Sequence, residues 1–287
     1  MNYDKKLFSS SFLESLPQLK FLWKKSKATR QEGSINHSST GSSLEFQDFQ
    51  PYMPGDDLRY LDWNVYARTE QLHIKRFSQE KNLHLLLLVD CSASMTIGAP
   101  PKLVLALRLA VALSYLFLHN GHSVRIVLAQ STELKYSESF CQPSSINNIL
   151  HFLSWIKGQG KVKLIRSLIS LQKRIPSGHL FIHSDLLDQH ECKSVLPLLY
   201  RKNYDISICH IMAQCETEPK HMGKIHLRDI ESHAQRQFYL TKQDMIHYRK
   251  NTKDFIHSWR SYSNSQGFFY SYHNSRSSIQ SSILKII

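Results

Sequence analysis

Residues 83–90 read Leu-His-Leu-Leu-Leu-Leu-Val-Asp, an almost unbroken apolar run that stops on an acid. A strand with one wet face would be polar at every second position. This run is apolar at both parities, as in the middle of a parallel sheet with helices packed on both faces. The downstream sequence keeps that texture. Pro100 and Pro101 precede a helix expected over Lys102 to His119, Asn120-Gly121 ends it, and SVRIVLAQ reads as a second strand. Helical stretches over 144–157 and 162–174, a break at Pro176-Ser177-Gly178, the strand HLFIHSD, a helix over 189–200 and the strand DISICHIM continue the alternation. Strand and helix alternating in this way predict a doubly wound, mostly parallel α/β sheet. Two shorter β candidates, GKIHLRDIE and RQFYL, precede a helix opened by Thr241 and Asp244, and the chain closes with GFFYSYH and an amphipathic helix.

The sequence upstream has a different character. Residues 1–43 combine an amphipathic helix (Phe12, Leu13, Leu16, Leu19, Leu22) with a loop rich in Ser and Gly, GSINHSSTGSS. Residues 44–81 form a β-containing module in which LEFQDFQ and QLHIKRF alternate around the turn YMPGDD. The α/β domain is expected over 82–287.

Composition narrows the partners. The net charge of +13 over 287 residues favours an acidic partner surface, nucleic acid or an anionic membrane. Five cysteines without a CxxC pair fit reduced thiols and a cytoplasmic location. No signal peptide is expected in the first residues, and the apolar stretch from Val104, interrupted by Arg108, reads as a buried helix rather than a transmembrane segment.

Asp90-Cys91-Ser92-Ala93-Ser94 sits where the first buried strand gives way to a helix, the edge of an open α/β sheet at which ligands gather. An acid with hydroxyls two and four residues later can aim three hard oxygens at one point, the donor type that Mg²⁺ selects. The bland alternative is that Asp90 and the serines satisfy backbone groups in a turn.

With Asp185 at the end of the strand HLFIHSD, the DxSxS pattern resembles the metal-ion-dependent adhesion site of von Willebrand factor A domains. The resemblance implies a metal site of Asp90, Ser92, Ser94 and Asp185, completed by a loop threonine and by a carboxylate from a protein partner. The best counterpart of the threonine segment is Gly160-Lys161-Val162-Lys163-Leu164, with Leu168 beyond it, which puts Val162 at the ligand position. Valine offers no oxygen, and Lys161 or Lys163 would compete with a divalent cation. The implied Mg²⁺ site is therefore a degraded one.

Phe46 to Glu80 carry EFQDFQPYMPGDDLRYLDWNVYARTEQLHIKRFSQE, which closely resembles the bacterial domain of unknown function fifty-eight. The matching residues are Pro54, Gly55, Asp56, Asp57, Arg59, Asp62, Trp63 and Arg68. Read by themselves, Pro54-Gly55 suit a type II turn capped by the Asp pair, the charged residues suit buried or half-buried ion pairs, and Trp63 suits a core position. The resemblance implies a non-enzymatic interaction protein working with a MoxR-type AAA+ ATPase in assembly or maturation of other proteins. The run from Lys157 to Arg174 has six Lys/Arg and no acid, so Lys157, Lys161, Lys163 and Arg166 are the expected docking patch. Nucleic-acid binding is the alternative on charge, without a recognisable binding motif to support it. An enzyme is disfavoured, since neither a GxSxG elbow nor a Walker A sequence is present.

Overall fold

The computed structural model describes residues 7–30, 43–80, 83–131, 133–174, 178–187, 189–201, 204–219, 222–230 and 234–286. The Ser/Gly segment before Ser43 lies mostly outside them. Contacts divide the chain into two units, residues 33–82 and the remainder.

The smaller unit pairs β1 (Ser43–Pro51) with β2 (His73–Glu80) in antiparallel register, with an irregularity between Phe46 and Asp48. Between them lie a short 3-10 turn at Leu58–Tyr60 and α2 (Trp63–Thr69). The larger unit begins with α1 (Ser10–Arg30) and resumes with β3 (His84–Asp90), α3 (Lys102–His119), β4 (Ser123–Ala129), β5 (Leu134–Tyr136), α4 (Ile146–Ser154) and α5 (Leu164–Arg174). It continues through β6 (Gly178–Ser184), α6 (Gln189–Tyr200), β7 (Tyr204–Met212), α7 (Gln214–Thr217), β8 (Gly223–Arg228) and β9 (Gln235–Leu240). It ends with α8 (Lys242–Gln266), β10 (Phe269–Asn274) and α9 (Ile279–Leu284).

Six strands form one sheet in the order β10-β7-β6-β3-β4-β5, all parallel except the edge strand β5. This is a doubly wound, mostly parallel α/β sheet. Along β3 the side chains divide by parity. Leu85, Leu87 and Val89 enter the core beneath α3, while Leu86 and Leu88 enter the second core with α5, α6 and Trp259 of α8. Apolarity at both parities therefore has a direct structural cause.

By length and composition alone α3 could cross a bilayer, yet 78% of it is buried inside the protein. A helix apolar all round must be covered on every side, and here α1, α4 and α9 share the core on that side of the sheet. Phe12, Leu16 and Leu19 of α1 are buried in that core, and Arg108 of α3 donates to the Leu7 carbonyl at 2.7 Å. The N-terminal helix, set apart with residues 1–43 on sequence grounds, thus belongs to the α/β unit, because α3 needs an apolar cover. Leu113, fully buried in α3, is a direct probe of that core. Leu113→Ala should cost about 2–5 kcal/mol in urea denaturation.

Candidate functional site

Strand order places the site. β3 is flanked by β4 on one side and β6 on the other, so the chain leaves β3 in one direction and returns in the other. The carboxyl ends of β3 and β6 border the crevice that such a switch opens. Asp90 ends β3, and Ser184 and Asp185 lie at the end of β6.

The DxSxS loop is held by its own backbone and by the segment after α4. The Cys91 N–H donates to the Ala129 carbonyl at 2.9 Å, Gln159 N–H to Cys91 carbonyl at 3.0 Å, and Ala93 N–H to Gly160 carbonyl at 2.9 Å. Gly158 permits this approach: a Cβ there would lie 2.8 Å from the Ser92 carbonyl oxygen and 2.6 Å from Thr96 Cγ2. Gly158→Ala should therefore push the two loops apart at a cost of about 1–3 kcal/mol, visible as a lower urea midpoint.

Asp90 is buried. Its Oδ1 accepts from the Ser92 N–H at 2.9 Å and its Oδ2 from the Ser184 hydroxyl at 2.7 Å, while the Ser92 and Ser94 hydroxyls lie 2.9 Å apart. Burial, and next the charge of Asp185, push the Asp90 carboxyl up to about 6, against the hydrogen bonds that favour its ionised form. The turn-satisfying role and the convergence of oxygens are therefore both present.

Asp185 is also buried, and it is already engaged. Its Oδ2 takes the Lys102 ammonium at 2.8 Å, and the same ammonium reaches Glu216 Oε1 at 2.5 Å. Glu216 in turn accepts the Ala213 N–H at 2.8 Å at the start of α7. Burial works against the charge on Lys102, but Asp185 and Glu216 outweigh it and hold its pKa above the ordinary value. Sequence reasoning did not assign Lys102, Ser184 or Glu216 to the site. A signal existed for the first: Lys102 opens a helix with no acid in its first turn, the end at which the helix dipole disfavours a cation.

A pocket of about 390 Å³ opens over these groups. Asp90, Ser92, Ser94, Ser184 and Asp185 line it together with Ile97, Val162, Leu164, Leu187 and the cation Lys161. Arg228, Asp229 and Ile230, where the β8–β9 hairpin turns, line it as well, a contribution from far along the chain. Lys157, Lys163 and Arg166 do not line it, although all three are exposed.

One position of the adhesion-site pattern brings no oxygen donor. Val162 is buried in the second core and brings only methyl groups to the pocket, and one oxygen of Asp185 is bound by an internal ammonium. Among the described residues no group of three or more His, Cys, Asp or Glu is disposed to hold a metal. The donors this leaves toward a Mg²⁺ ion are the two hydroxyls, Asp90 and the second oxygen of Asp185, a set that water or a partner's oxygens would have to complete.

In the 33–82 unit the signature residues are structural. Pro54-Gly55 turn with φ +110° at Gly55, Asp56 accepts the Met53 N–H at 2.8 Å, and Asp57 caps the 3-10 turn while pairing with Arg59. Asp62 caps α2 and pairs with Lys75 at 3.0 Å, a hydrogen bond that lowers its pKa. Arg68 donates to the Asn64 carbonyl at 3.2 Å. Two expectations are corrected. The Asp57–Arg59 pair is exposed rather than buried, and Trp63 is 68% exposed, edge-on to Tyr66, because the open two-stranded ribbon leaves α2 without a core to enter.

Comparison with known proteins finds similarity of two kinds, in structure and in sequence. The conserved hypothetical protein BatB from Bacteroides thetaiotaomicron aligns with 71% of this chain and 96% of its own at 12% identity and a TM-score of 0.41. The SpRpn10 VWA domain aligns with 71% and 94% at 10% identity and a TM-score of 0.41. The uncharacterized proteins Rv1480 of Mycobacterium tuberculosis (strain ATCC 25618 / H37Rv) and Mb1516 of Mycobacterium bovis (strain ATCC BAA-935 / AF2122/97) are each 34% identical over 96 residues. Those matches span 33% of this chain and 30% of either relative. Residues 48–254 match the family described as protein of unknown function DUF58, taking in most of the signature module and five of the six strands of the main sheet, with the site. The chain belongs to the DUF58 family.

Proposed function

We propose that this chain is a non-enzymatic protein-interaction module, docking a protein partner at the pocket over Asp90, Ser92 and Ser94. The observation that carries this reading is the contrast between a locked floor and an open rim. The floor is lined by buried Asp90, Ser184 and Asp185, with Asp185 held from behind by Lys102, whereas Lys161 and Arg228 at the rim are exposed. A rigid polar loop edged by exposed charge suits recognition, in which rim charges set encounter rate and partner choice.

The arrangement favours binding over catalysis. The Ser92 hydroxyl faces that of Ser94, and His183, the histidine at the nearby strand end, is buried with its Nδ1 3.3 Å from the Leu88 carbonyl. Neither serine is thereby given a general base.

The partner that best suits the reading is a MoxR-type AAA+ ATPase, in a cytoplasmic system for assembly or maturation of other proteins. The resemblance of the signature module supports this identity, and the five free cysteines suit a reducing compartment. Affinity capture with the full chain should enrich such an ATPase, and Lys161→Glu with Arg228→Glu should lower its recovery about tenfold. A set of specific partners with no ATPase among them contradicts the assignment.

A further inference from the structure

We infer that the β8–β9 ribbon is a platform for single-stranded nucleic acid, with Tyr239 as its stacking surface and Lys224, His226 and Arg228 as its contacts to the phosphate backbone. Arg228, at the end of β8, also lines the docking pocket; Lys224, His226 and Tyr239 do not.

The ribbon has two unlike faces. Its antiparallel register sets Lys224 opposite Tyr239, His226 opposite Gln237 and Arg228 opposite Gln235, and directly opposed residues share a face. On the other face Ile225 stands opposite Phe238 and Leu227 opposite Arg236, with Ile225 and Leu240 half-buried. All six residues of the first face are exposed, and Tyr239 is 75% accessible. A ring so exposed among polar neighbours adds little to the fold. Among the described residues no ion pair or side-chain hydrogen bond engages Lys224, His226, Arg228 or Tyr239. Their donors are open to a ligand.

Charge and spacing select the ligand. Lys224, His226 and Arg228 take alternate positions of one strand, so they follow one another at about 6.8 Å along it. Such a row can track the phosphates of an extended polynucleotide, while the ring across from Lys224 offers a base a face to stack on. Gln235 and Gln237 add amides that both donate and accept hydrogen bonds, as base edges do. Residues 222–254 hold seven Lys/Arg against four Asp/Glu, and no acid stands on the exposed face of the paired strands. A membrane surface fits less well, because an inserted face needs apolar side chains and this one has only the Tyr239 ring. A duplex fits less well too, since its bases are stacked on one another and closed to Tyr239.

The test is fluorescence anisotropy of the full chain with labelled oligo-dT and oligo-U of about 12 nucleotides, within the usual site sizes of such platforms, and with a duplex of the same length. Single strands should bind at least about threefold more tightly than the duplex at low salt. Tyr239→Ala should weaken single-strand binding about tenfold, and Tyr239→Phe should retain it. Lys224→Ala should lower the slope of log affinity against log salt by about 0.7. Because these side chains are exposed, all three variants should melt with the wild type. Equal binding of single strand and duplex, or no loss in Tyr239→Ala, would show net charge alone at work and overturn the inference. Absence of oligonucleotide binding at low salt, with or without binding to phosphatidylserine vesicles, would overturn it as well. Tyr239→Ala and Lys224→Ala leave the pocket lining intact, so capture of the ATPase by these variants keeps the two readings separable.

Discussion

Lys102→Met is expected to destabilise the protein by about 3–5 kcal/mol, a large part of the total stability of an ordinary domain. The methionine keeps most of the apolar stem, so the loss isolates the charge. In the native chain a single ammonium with no solvent exposure serves Asp185 and Glu216, which lie just beyond β6 and β7. Removing it leaves the buried carboxylate of Asp185 and the partly buried one of Glu216 without their shared cation. Lys102→Met/Asp185→Asn should recover part of the loss, because one stranded charge is then gone. Such non-additivity is the mark of direct coupling. Urea denaturation of the two variants and of Asp185→Asn alone closes the cycle, and additive losses would show that the pair carries no coupling of its own.

Acid is expected to unfold the protein with a midpoint at about pH 4. Burial holds His183 neutral down to about 4, and His210 and His273 down to about 3. In the unfolded chain each protonates near its ordinary value of about 6.5. Below that pH the unfolded state binds more protons, so the stability present above about 6.5 is lost progressively as pH falls toward the folded-state values. Three such groups lower stability by at most about 4 kcal/mol per pH unit. Asp90 opposes them. Its carboxyl is raised to about 6, so protonation favours the fold between about 6 and the ordinary carboxylate value near 3.9, offsetting about one group's worth. The net of about 3 kcal/mol per unit exhausts an ordinary stability within two to three units. Far-UV circular dichroism against pH measures the midpoint. His273→Phe should move it downward, and a chain still folded at about pH 3 would contradict the assignment of these histidines as buried and neutral.

The frame of this fold is legible in the sequence wherever local pattern and tertiary role coincide. The apolar run of β3 has only one comfortable home, between two helical layers. Thr241 with Asp244 announces the start of α8, and the structure shows the reciprocal capping bonds. The Asp90, Ser92 and Ser94 trio could be located from its place between a buried strand and a helix. The parts that resist reading depend on contacts between distant segments. Lys102 reaches Asp185 and Glu216 from 83 and 114 residues away, and no local spacing encodes that bridge. The residues at the end of the β8–β9 hairpin line the pocket only because the chain returns over the sheet edge. Trp63 looks like a core residue by composition, but its exposure is a consequence of the open ribbon around it. The place of α1 was half visible: its apolar stripe could be read, whereas its partner is identified by the need of α3 for cover on every side.

Docking of a protein partner at this pocket is addressed without intermediaries by calorimetric titration of the full chain with a purified MoxR-type AAA+ ATPase. Binding should be saturable and should weaken at least about tenfold for Lys161→Glu/Arg228→Glu, with the variant's melting curve unchanged. Equal affinity for wild type and the rim variant, or no binding by either, would contradict the pocket as the docking site.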